Sequence, residues 1–313
     1  MALDQASLDF LRIAAETTDP KSRPPWEMSA DQARKVAAAQ KRELPRGPEM
    51  HQTDNFHLTG WDGGEFAVRV LRPTKTPHSV LVYLHGGGWV MSDIDSFDAL
   101  GRTLAEMSGA TVVMVDYRKA PEYPFPAAVE DSWTAVKWAS KTIRELSGDN
   151  APLYVAGDSA GGNLATVVAM RALERGGPDI ARQILVYPVT DANFERSSYL
   201  APENQTLLPR EFITWFWDQY CPNTKDRMNP EAAPLQAKNL RGVTPALIIT
   251  AEHDVLVDEG EAYSNRLKEA GVDVEYHKWP GQMHGFLNMV NILPASAEVI
   301  QLISSSIREK ATN

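Results

Sequence analysis

The sequence predicts an α/β fold, with a mostly parallel central sheet, helices on both of its faces and a small helical cap. The first observation is an alternation along the chain, in which short apolar runs are followed by segments whose apolar residues recur at helical spacing. The second concerns the runs themselves. Stretches such as 80–84 and 111–115 are almost continuously apolar, which indicates strands covered on both faces, as parallel strands are.

The individual elements follow from these patterns in chain order. Residues 66–71 alternate apolar and polar positions after the turn signal Asp62-Gly63-Gly64, which indicates a strand with one exposed face. Further strands are predicted at 80–84, 111–115, 153–156, 184–186, 246–250 and 272–277. Helices are predicted at 3–17, 29–42, 100–107, 127–140, 163–175, 209–220, 258–270 and 296–309.

The elements divide the chain into a core and a cap. Residues 1–50 hold two helices that precede any strand, and these could form an N-terminal part of the cap or simply pack against the core. Residues 51–190 and 226–313 carry the alternation and are expected to form the α/β core. The segment 191–225 interrupts it with a proline-dotted, aromatic stretch. We expect this insertion to lie above the carboxyl ends of the strands, where such sheets bind ligands.

Composition limits the classes of protein that the chain can belong to. With 313 residues, 43% of them apolar, it can bury the core of one large α/β domain. The formal net charge of −10 argues against nucleic acid as a partner, because no excess of cations is available to meet phosphates. The single cysteine, Cys221, excludes an intrachain disulfide and fits a reducing compartment.

The same features lead us to expect a cytoplasmic protein without stable membrane association. The first residues lack the basic stretch and apolar stretch that mark a secretory signal. No apolar run reaches the roughly 18 residues of a membrane-spanning helix.

The most informative motif is Gly157-Asp158-Ser159-Ala160-Gly161, between the strand predicted at 153–156 and the helix predicted at 163–175. A serine in a sharp, glycine-flanked turn from strand to helix is typical of a nucleophile elbow, because the tight turn leaves no space for side chains. Ser159 would present its hydroxyl at the N-terminus of a helix, where backbone N–H groups stabilise developing negative charge. The sequence therefore predicts Ser159 as a nucleophile.

A serine nucleophile needs a base and a group that orients the base. His284 lies in a loop predicted to follow the last strand, from which it can reach across the top of the sheet as the base. Asp254 follows the strand at 246–250, where a buried carboxylate would accept a hydrogen bond from the imidazole. Two other carboxylates compete. Asp258 is interpreted as the N-cap of a helix, and Glu252 is expected to pair with a neighbour.

A glycine-rich loop, His85-Gly86-Gly87-Gly88-Trp89, follows the strand at 80–84. Glycines allow the backbone to approach a reacting carbonyl and to direct N–H groups at it. We expect two donors from Gly86, Gly87 and Gly88, with the N–H of Ala160, to form an oxyanion hole. His85 is predicted to brace the backbone by hydrogen bonding rather than to act as a base.

Together these motifs resemble those of the bacterial hormone-sensitive-lipase-like family of α/β-hydrolases, also called family IV. The resemblance rests on HGGGW, GDSAGGN and MHGF and on the runs at 112–131 and 252–260, and it spans about residues 55–310. It implies an α/β-hydrolase fold and an esterase with Ser159, Asp254 and His284 as its triad, in the chain order that this fold uses. It also implies a cap built from the N-terminal helices and the segment near 195–225.

Three positions depart from the family pattern. Tyr123 stands where the family often has His, Val255 where it often has Pro, and Ser92 where it often has Gly. None of these departures removes a catalytic group. They therefore affect the expected shape of the pocket rather than its chemistry.

Further candidates for contact with the substrate are Trp89, Asp158, Trp215 and Phe216. We expect no metal and no cofactor. The aspartates in the segment 93–98 resemble a metal-binding loop, but they lack the glycine and the distant glutamate of an EF-hand. We interpret them as charges at the start of a helix.

These observations lead us to expect a serine carboxylesterase that hydrolyses short- to medium-chain esters of small molecules, the chain length being implied by the resemblance. One alternative is a lactone, amide or carbamate hydrolase with the same triad. Another is a non-catalytic ligand-binding protein on this scaffold, as in the gibberellin receptors, which resemble the family but lack the histidine found here at 284. The strand predicted at 272–277 could pair with its twin, which would make a homodimer.

Overall fold

A central sheet of eight strands runs through the protein, whose computed structural model describes residues 2–18, 22–39 and 46–311. The strands are β1 (Gln52–Thr59), β2 (Glu65–Arg72), β3 (Val80–Leu84), β4 (Thr111–Asp116), β5 (Leu153–Asp158), β6 (Arg182–Val186), β7 (Ala246–His253) and β8 (Val274–Met283). Their order across the sheet is β1-β2-β4-β3-β5-β6-β7-β8. The β1–β2 and β2–β4 pairs are antiparallel, and all other neighbours are parallel. The prediction of a mostly parallel sheet is confirmed.

Helices cover both faces of this sheet, as predicted. They are α1 (Gln5–Thr17), α2 (Ala30–Ala39), α3 (Asp98–Ser108), α4 (Ala127–Lys141), α5 (Ile143–Ser147), α6 (Ala160–Glu174), α7 (Ser197–Leu200), α8 (Arg210–Tyr220), α9 (Val257–Glu269) and α10 (Pro294–Ala311). Buried side chains of α3 and α10 pack on one face of the sheet, and those of α4, α6 and α9 pack on the other. Within the described ranges, no helix combines the length and the apolar character needed to cross a membrane.

Strand β3 illustrates why the apolar runs are continuous. All five of its residues are buried, and alternate side chains point to opposite faces. Val80, Val82 and Leu84 join the core beneath α4 and α6, whereas Leu81 and Tyr83 join the core beneath α3 and α10. A strand that is covered on both faces needs apolar residues at every position.

Two predicted strands differ from the structure by three residues or more at one end. The strand predicted at 272–277 starts at Val274 and extends to Met283, and the one predicted at 246–250 extends to His253. Pro280 and Gly281 suggested a loop in the sequence. They lie instead within β8, at the edge of the sheet, where a proline is tolerated because no further strand needs its N–H.

The first helix is attached to the end of β8. Asp4 caps α1 by accepting a hydrogen bond from the Ser7 N–H at 2.7 Å. The Asp4 N–H donates to the Gly281 carbonyl at 2.9 Å, and Gln282 Nε2 donates to Asp4 Oδ2 at 2.7 Å. The second predicted helix, 29–42, is present as α2 through Ala39, and residues 40–42 lie outside the described residues.

The long connection between β6 and β7 carries the remaining helices, α7 and α8. On α8, Phe212 contacts Trp26 of the N-terminal segment, with ring centroids 5.5 Å apart. The two parts of the chain predicted to form the cap are therefore in contact.

Candidate active site

The register of the parallel strands determines which residues meet at the carboxyl edge of the sheet. Asp158, the last residue of β5, is aligned with Val186, the last residue of β6. Ser159 and Tyr187 therefore leave the sheet side by side. The Ser159 N–H donates to the Val186 carbonyl at 2.9 Å, which fixes the exit of β5 against the end of β6.

The other two predicted catalytic residues are aligned in the same way. His253 at the end of β7 is aligned with Met283 at the end of β8, so Asp254 and His284 leave the sheet as neighbours. The register is shifted between residues 251 and 253, and such an irregularity bends a strand. The extensions that the sequence prediction missed thus carry Asp254 and His284 past the end of β6 toward Ser159.

Ser159 occupies the turn between β5 and α6 as predicted. Its backbone has φ 55° and ψ −121°, a conformation that non-glycine residues rarely adopt and that marks functional turns. A Cβ atom at Gly161 would lie 1.9 Å from the Leu84 carbonyl oxygen, so only glycine allows α6 to begin against the end of β3. The elbow and the glycine loop after β3 are therefore in direct contact.

The three predicted catalytic side chains form a continuous hydrogen-bonded chain. His284 Nε2 is 3.0 Å from Ser159 Oγ, and His284 Nδ1 is 2.7 Å from Asp254 Oδ2. With its proton on Nδ1, the imidazole donates to Asp254 and leaves Nε2 to accept from the serine hydroxyl. The Asp254 side chain is fully buried, and its Oδ1 accepts from the Leu256 N–H at 2.9 Å. This arrangement can activate the hydroxyl for nucleophilic attack.

The two competing carboxylates point elsewhere. Glu252 accepts a hydrogen bond from the Gly281 N–H at 2.8 Å, and this bond lowers the pKa of its carboxyl group. Asp258 is not the N-cap of α9, which the sequence predicted, because that position is Leu256. Asp258 lies in the first turn, and its carboxylate accepts from the Ser198 N–H at 2.8 Å. It therefore links α9 to α7.

The glycine loop presents backbone donors beside the elbow. The N–H of Gly86 donates to Asp158 Oδ1 at 2.9 Å, so the inclusion of Gly86 among the oxyanion donors is corrected. Among the described residues, no group accepts the N–H of Gly87, Gly88 or Ala160. The Gly87 and Gly88 backbones have φ values of 117° and 61°, which favour glycine. These three N–H groups are the remaining candidates for an oxyanion hole.

The Asp158 side chain is buried in the protein interior. The prediction that Asp158 contacts the substrate is therefore corrected. Its Oδ1 atom accepts both the Gly86 N–H and the Tyr83 hydroxyl, the latter at 2.8 Å. Burial raises the pKa of Asp158 above its usual range, and the Tyr83 hydrogen bond opposes this shift. His85 is also buried, with Nδ1 2.7 Å from the Gly86 carbonyl oxygen. Both side chains hold the first turn of the glycine loop.

The three aromatic candidates differ in exposure. Trp89 is fully buried, stacked on Tyr220 with ring centroids 4.1 Å apart, so it anchors the loop to α8 and does not face a pocket. Phe216 lies against Gly88, where an added Cβ would be 2.2 Å from its ring. Trp215 is half-buried beside Phe216, with ring centroids 5.3 Å apart. Phe216 therefore contacts the glycine loop directly, and Trp215 packs beside Phe216.

The aspartates at 93–98 are used in local contacts. Asp93 accepts hydrogen bonds from the N–H and hydroxyl of Ser96, while Asp95 and Asp98 both pair with Arg69 at 2.8 Å. This is consistent with their interpretation as charges near the start of a helix.

Sequence reasoning missed Tyr187, which packs against the base. Its ring centroid is 4.6 Å from that of His284 and 5.7 Å from that of Phe286. The side chain is buried, and its backbone φ of 36° is unusual for a residue with a side chain. Its position directly after an apolar strand is the available signal. That signal is weak because tyrosine is not a typical catalytic residue at this edge.

The fold and this site define an α/β-hydrolase. A model of that family, described as the alpha/beta hydrolase fold, matches residues 81–288. The chain is 38% identical to a carboxylesterase of Mycobacterium tuberculosis over 282 residues, which cover 88% of each protein. It is 34% identical to an ethyl acetate hydrolase of Pseudomonas putida, covering 91% of this chain and 92% of that protein. The chain therefore belongs to the α/β-hydrolases, in the hormone-sensitive-lipase-like group.

Solved structures give the same assignment. An esterase from Pseudomonas putida superimposes with a TM-score of 0.91 at 34% identity, covering 98% of this chain and 97% of that one. An esterase of the archaeon Pyrobaculum calidifontis superimposes with a TM-score of 0.89 at 35% identity, covering all of both chains. The resemblance inferred from the motifs is confirmed over nearly the whole chain.

Proposed function

We propose that this protein is a serine carboxylesterase in which Ser159, His284 and Asp254 act as the catalytic triad. The hydrogen-bonded chain from Ser159 Oγ through the imidazole to Asp254 is the observation that carries the proposal. Ser159 attacks the ester carbonyl while His284 takes its proton and returns it to the leaving alcohol. Water activated by the same histidine then hydrolyses the acyl-enzyme, and the proton returns to Ser159.

The class of reaction is supported by the relatives. The two proteins compared by sequence are named a carboxylesterase and an ethyl acetate hydrolase, and both solved structures are esterases. With the family shown and the three side chains in hydrogen-bonded sequence, hydrolysis of carboxylic esters is the activity that fits. The chain is a carboxylic ester hydrolase.

The oxyanion of the tetrahedral intermediate would be bound by backbone N–H groups. Those of Gly87, Gly88 and Ala160 have no acceptor among the described residues, and Ala160 is the first residue of α6. The N-terminus of a helix adds favourable potential for a negative charge. Fixed donors of this kind stabilise the transition state without reorganisation, and removal of one typically costs about 10²- to 10³-fold in kcat.

We assign short- to medium-chain esters as the preferred substrates. The aromatic side chains of α8 approach the oxyanion loop closely, since Phe216 lies directly on Gly88. The relative from Pseudomonas putida is named for a two-carbon acyl group. A cap formed by α1, α2 and the segment 191–225 would close over such a substrate and exclude water.

The test is an acyl-chain series of p-nitrophenyl esters, from acetate to palmitate, with wild type and Ser159→Ala. We expect turnover by wild type alone, with kcat/KM highest for short or medium chains. A maximum at palmitate would overturn the chain-length assignment. A folded wild-type protein that hydrolyses no ester would overturn the proposed function.

A homodimer through β8 is part of this proposal. Strand β8 has a neighbour on one side only. Because the Asp273 carbonyl accepts from the Ala246 N–H, the polar backbone groups of the next residue, Val274, face the free edge. Exposed Lys278 and Pro280 limit pairing to the first half of the strand.

The oligomeric state of three proteins tests this pairing. Val274→Pro removes an edge N–H and is expected to yield monomers in analytical ultracentrifugation, whereas Val274→Ala keeps the N–H and should behave as wild type. A monomeric wild type, or a Val274→Pro dimer of unchanged strength, would contradict the pairing.

We also propose a cytoplasmic location. The lone Cys221 offers no intrachain disulfide, and burial raises the pKa of its thiol to about 11, so the thiolate is scarce at neutral pH. A chain that forms no intrachain disulfide needs no oxidising compartment for its stability. Fractionation of cells that express the protein from its own gene tests the location, and recovery outside the cytoplasm would contradict it.

A further inference from the structure

Arg34 connects a cap helix to the backbone of the oxyanion loop. It lies on α2, and its Nε atom donates to the Val90 carbonyl at 2.8 Å. Its Nη2 atom donates to the Ala120 carbonyl at 2.5 Å. The guanidinium also forms a two-point ion pair with Glu122, with both N–O distances at 2.8 Å. One half-buried side chain therefore spans two loops that follow neighbouring strands, β3 and β4.

The loop that Arg34 contacts is conformationally unusual. Gly87, Gly88 and Trp89 have successive φ values of 117°, 61° and 59°, a left-handed run that is costly for a residue with a side chain. The Gly87 carbonyl accepts the N–H groups of Val90 and Met91, at 3.1 and 2.7 Å. These bonds orient the peptide unit between Gly87 and Gly88, which carries the Gly88 N–H, one of the proposed oxyanion donors.

Arg34 holds the exit of the same turn. The Ala120 N–H donates to the Trp89 carbonyl at 2.9 Å, and Arg34 then bridges the next carbonyls on the two segments, those of Val90 and Ala120. In the part of the chain that the structure describes, no other arginine or lysine donates to the backbone of residues 86–91. The ring of Phe216, on α8, packs directly against Gly88 of the same loop.

We propose that Arg34 is a positioning residue for the oxyanion hole, acting through the Val90 and Ala120 carbonyls on the N–H groups of Gly87 and Gly88. The inference rests on the proposed function and goes beyond it. It gives the N-terminal part of the cap a role in transition-state stabilisation, in addition to covering the substrate. The two carbonyl contacts carry this role, and the Glu122 ion pair orients the guanidinium.

Arg34→Met tests the proposal with p-nitrophenyl butyrate. Met keeps much of the length of the side chain and removes every donor. We expect kcat to fall by about 10- to 100-fold, the size expected when a catalytic group is displaced by about an ångström, with KM within about twofold of wild type. Lys35→Met is the matched control, because Lys35 is the next residue on α2, is 75% exposed and pairs with Asp31. It should leave both constants unchanged.

Two further variants separate the carbonyl contacts from the ion pair. Glu122→Gln removes the charge of the partner and leaves the two carbonyls, so kcat should stay within about threefold of wild type. Arg34→Lys keeps the charge but offers a single nitrogen that cannot bridge both carbonyls, so kcat should fall between those of wild type and Arg34→Met. A Glu122→Gln variant as impaired as Arg34→Met would contradict the proposal.

A readout other than turnover completes the test. Amide hydrogen exchange of a peptide covering residues 86–91 should be faster in Arg34→Met than in wild type. Inhibition by a boronic acid, which forms a tetrahedral adduct with the serine, should weaken in proportion to the loss of kcat/KM.

Unchanged kcat and unchanged exchange in Arg34→Met would overturn the proposal, as would unfolding of both Arg34 variants at assay temperature. If wild type itself hydrolyses no ester, the proposed function fails, whereas the exchange measurement still tests the contact.

Discussion

At Ser159 the chain combines a strained backbone with glycine neighbours, and the reason is steric. A Cβ atom at Gly157 would lie 2.3 Å from the Gly161 backbone, and one at Gly161 would lie 1.9 Å from the Leu84 oxygen. Both distances are far below van der Waals contact. The glycine spacing of the motif is therefore a consequence of packing α6 directly against the ends of β3 and β5. Because the glycines that satisfy this constraint stand close to Ser159 on either side, a short sequence pattern is enough to predict the elbow and the position of its serine.

The first prediction concerns the carboxylate that orients the base. Asp254→Asn keeps the shape of the side chain but has a single acceptor oxygen, which cannot accept from both the Leu256 N–H and the imidazole. The His284 tautomer with Nε2 free to accept is therefore no longer favoured. We expect kcat on p-nitrophenyl butyrate to fall by about 10³- to 10⁴-fold, as for the loss of the orienting carboxylate in other Ser-His-Asp triads.

A second carboxylate provides the control. Asp258→Asn can still accept the Ser198 N–H and does not touch the imidazole. Its kcat should stay within about threefold of wild type, with thermal unfolding measured to show that both variants are folded. Equal losses in the two variants would contradict the assignment of Asp254.

Side-chain direction is the part of the site that sequence could not supply. Ser159, Asp254 and His284 were identifiable as candidates because each comes after a segment that the sequence predicts as a strand. Trp89 and Asp158 stand in the same motifs, yet both point into the interior. Their orientation depends on what packs behind the loop, namely Tyr220 for Trp89 and Tyr83 for Asp158. Those partners are distant in sequence, and no local pattern reveals them.

At the scale of elements, most helices and strands could be predicted, and the errors have physical causes. Strand β8 was predicted too short because Pro280 and Gly281 are turn signals inside an edge strand, and β7 because the polar residues Glu252 and His253 follow its apolar run. Strand β1 is missing from the predicted strands, because most of its side chains are exposed and no apolar alternation marks it. These errors matter for the site, since β7 and β8 carry the acid and the base.

A buried glutamate joins α9 to the segment that leaves β6. Glu259 Oε1 accepts the N–H groups of Thr190 and Asp191 at 2.7 and 3.2 Å, and its Oε2 accepts the Tyr199 hydroxyl at 2.8 Å. Thr190 Oγ1 donates back to the Glu259 carbonyl at 2.9 Å. The side chain thus holds the start of the β6–β7 connection, including α7, against the core.

The second prediction follows from the titration of Glu259. Burial raises the pKa of this carboxyl group to about 8, although the three hydrogen bonds oppose the shift. The pKa of a glutamate in the unfolded chain is about 4.3. Between these values the folded state binds more protons, so the free energy of unfolding falls as the pH rises. Glu259→Gln does not titrate. Between pH 5 and pH 8, the Tm of wild type should therefore fall relative to that of the variant.

Thermal unfolding at four pH values between 5 and 8 measures this difference. Glu261→Gln is a suitable control, because Glu261 lies on the same helix in a half-exposed pair with Lys278. Its Tm difference from wild type should not vary with pH in this range. A Tm difference between wild type and Glu259→Gln that does not change from pH 5 to pH 8 would contradict the prediction, because it would show that Glu259 is ionised in the folded protein.

At the scale of the whole molecule, the sequence predicted the architecture but not the order of the strands. The alternation of strands and helices is enough to indicate a parallel sheet. The placement of β4 between β2 and β3, and of β5 next to β3, is set by contacts between distant parts of the chain. It is this order that brings the glycine loop after β3 beside Ser159 at the end of β5.

The formal net charge of −10 leads to the last prediction. An acidic protein repels anionic substrates over a Debye length of about 30 Å at 0.01 M salt, but only over about 8 Å at 0.15 M. For neutral p-nitrophenyl acetate, kcat/KM should be nearly independent of salt. For the monoanionic p-nitrophenyl hemisuccinate, kcat/KM should rise a few-fold between 0.01 and 0.5 M NaCl, because screening removes the repulsion. Parallel rates with Ser159→Ala correct for uncatalysed hydrolysis. An equal change of kcat/KM for both esters would mean that salt acts on the enzyme and not on the approach of the substrate. A fall of kcat/KM for the anionic ester would indicate a local positive potential at the site.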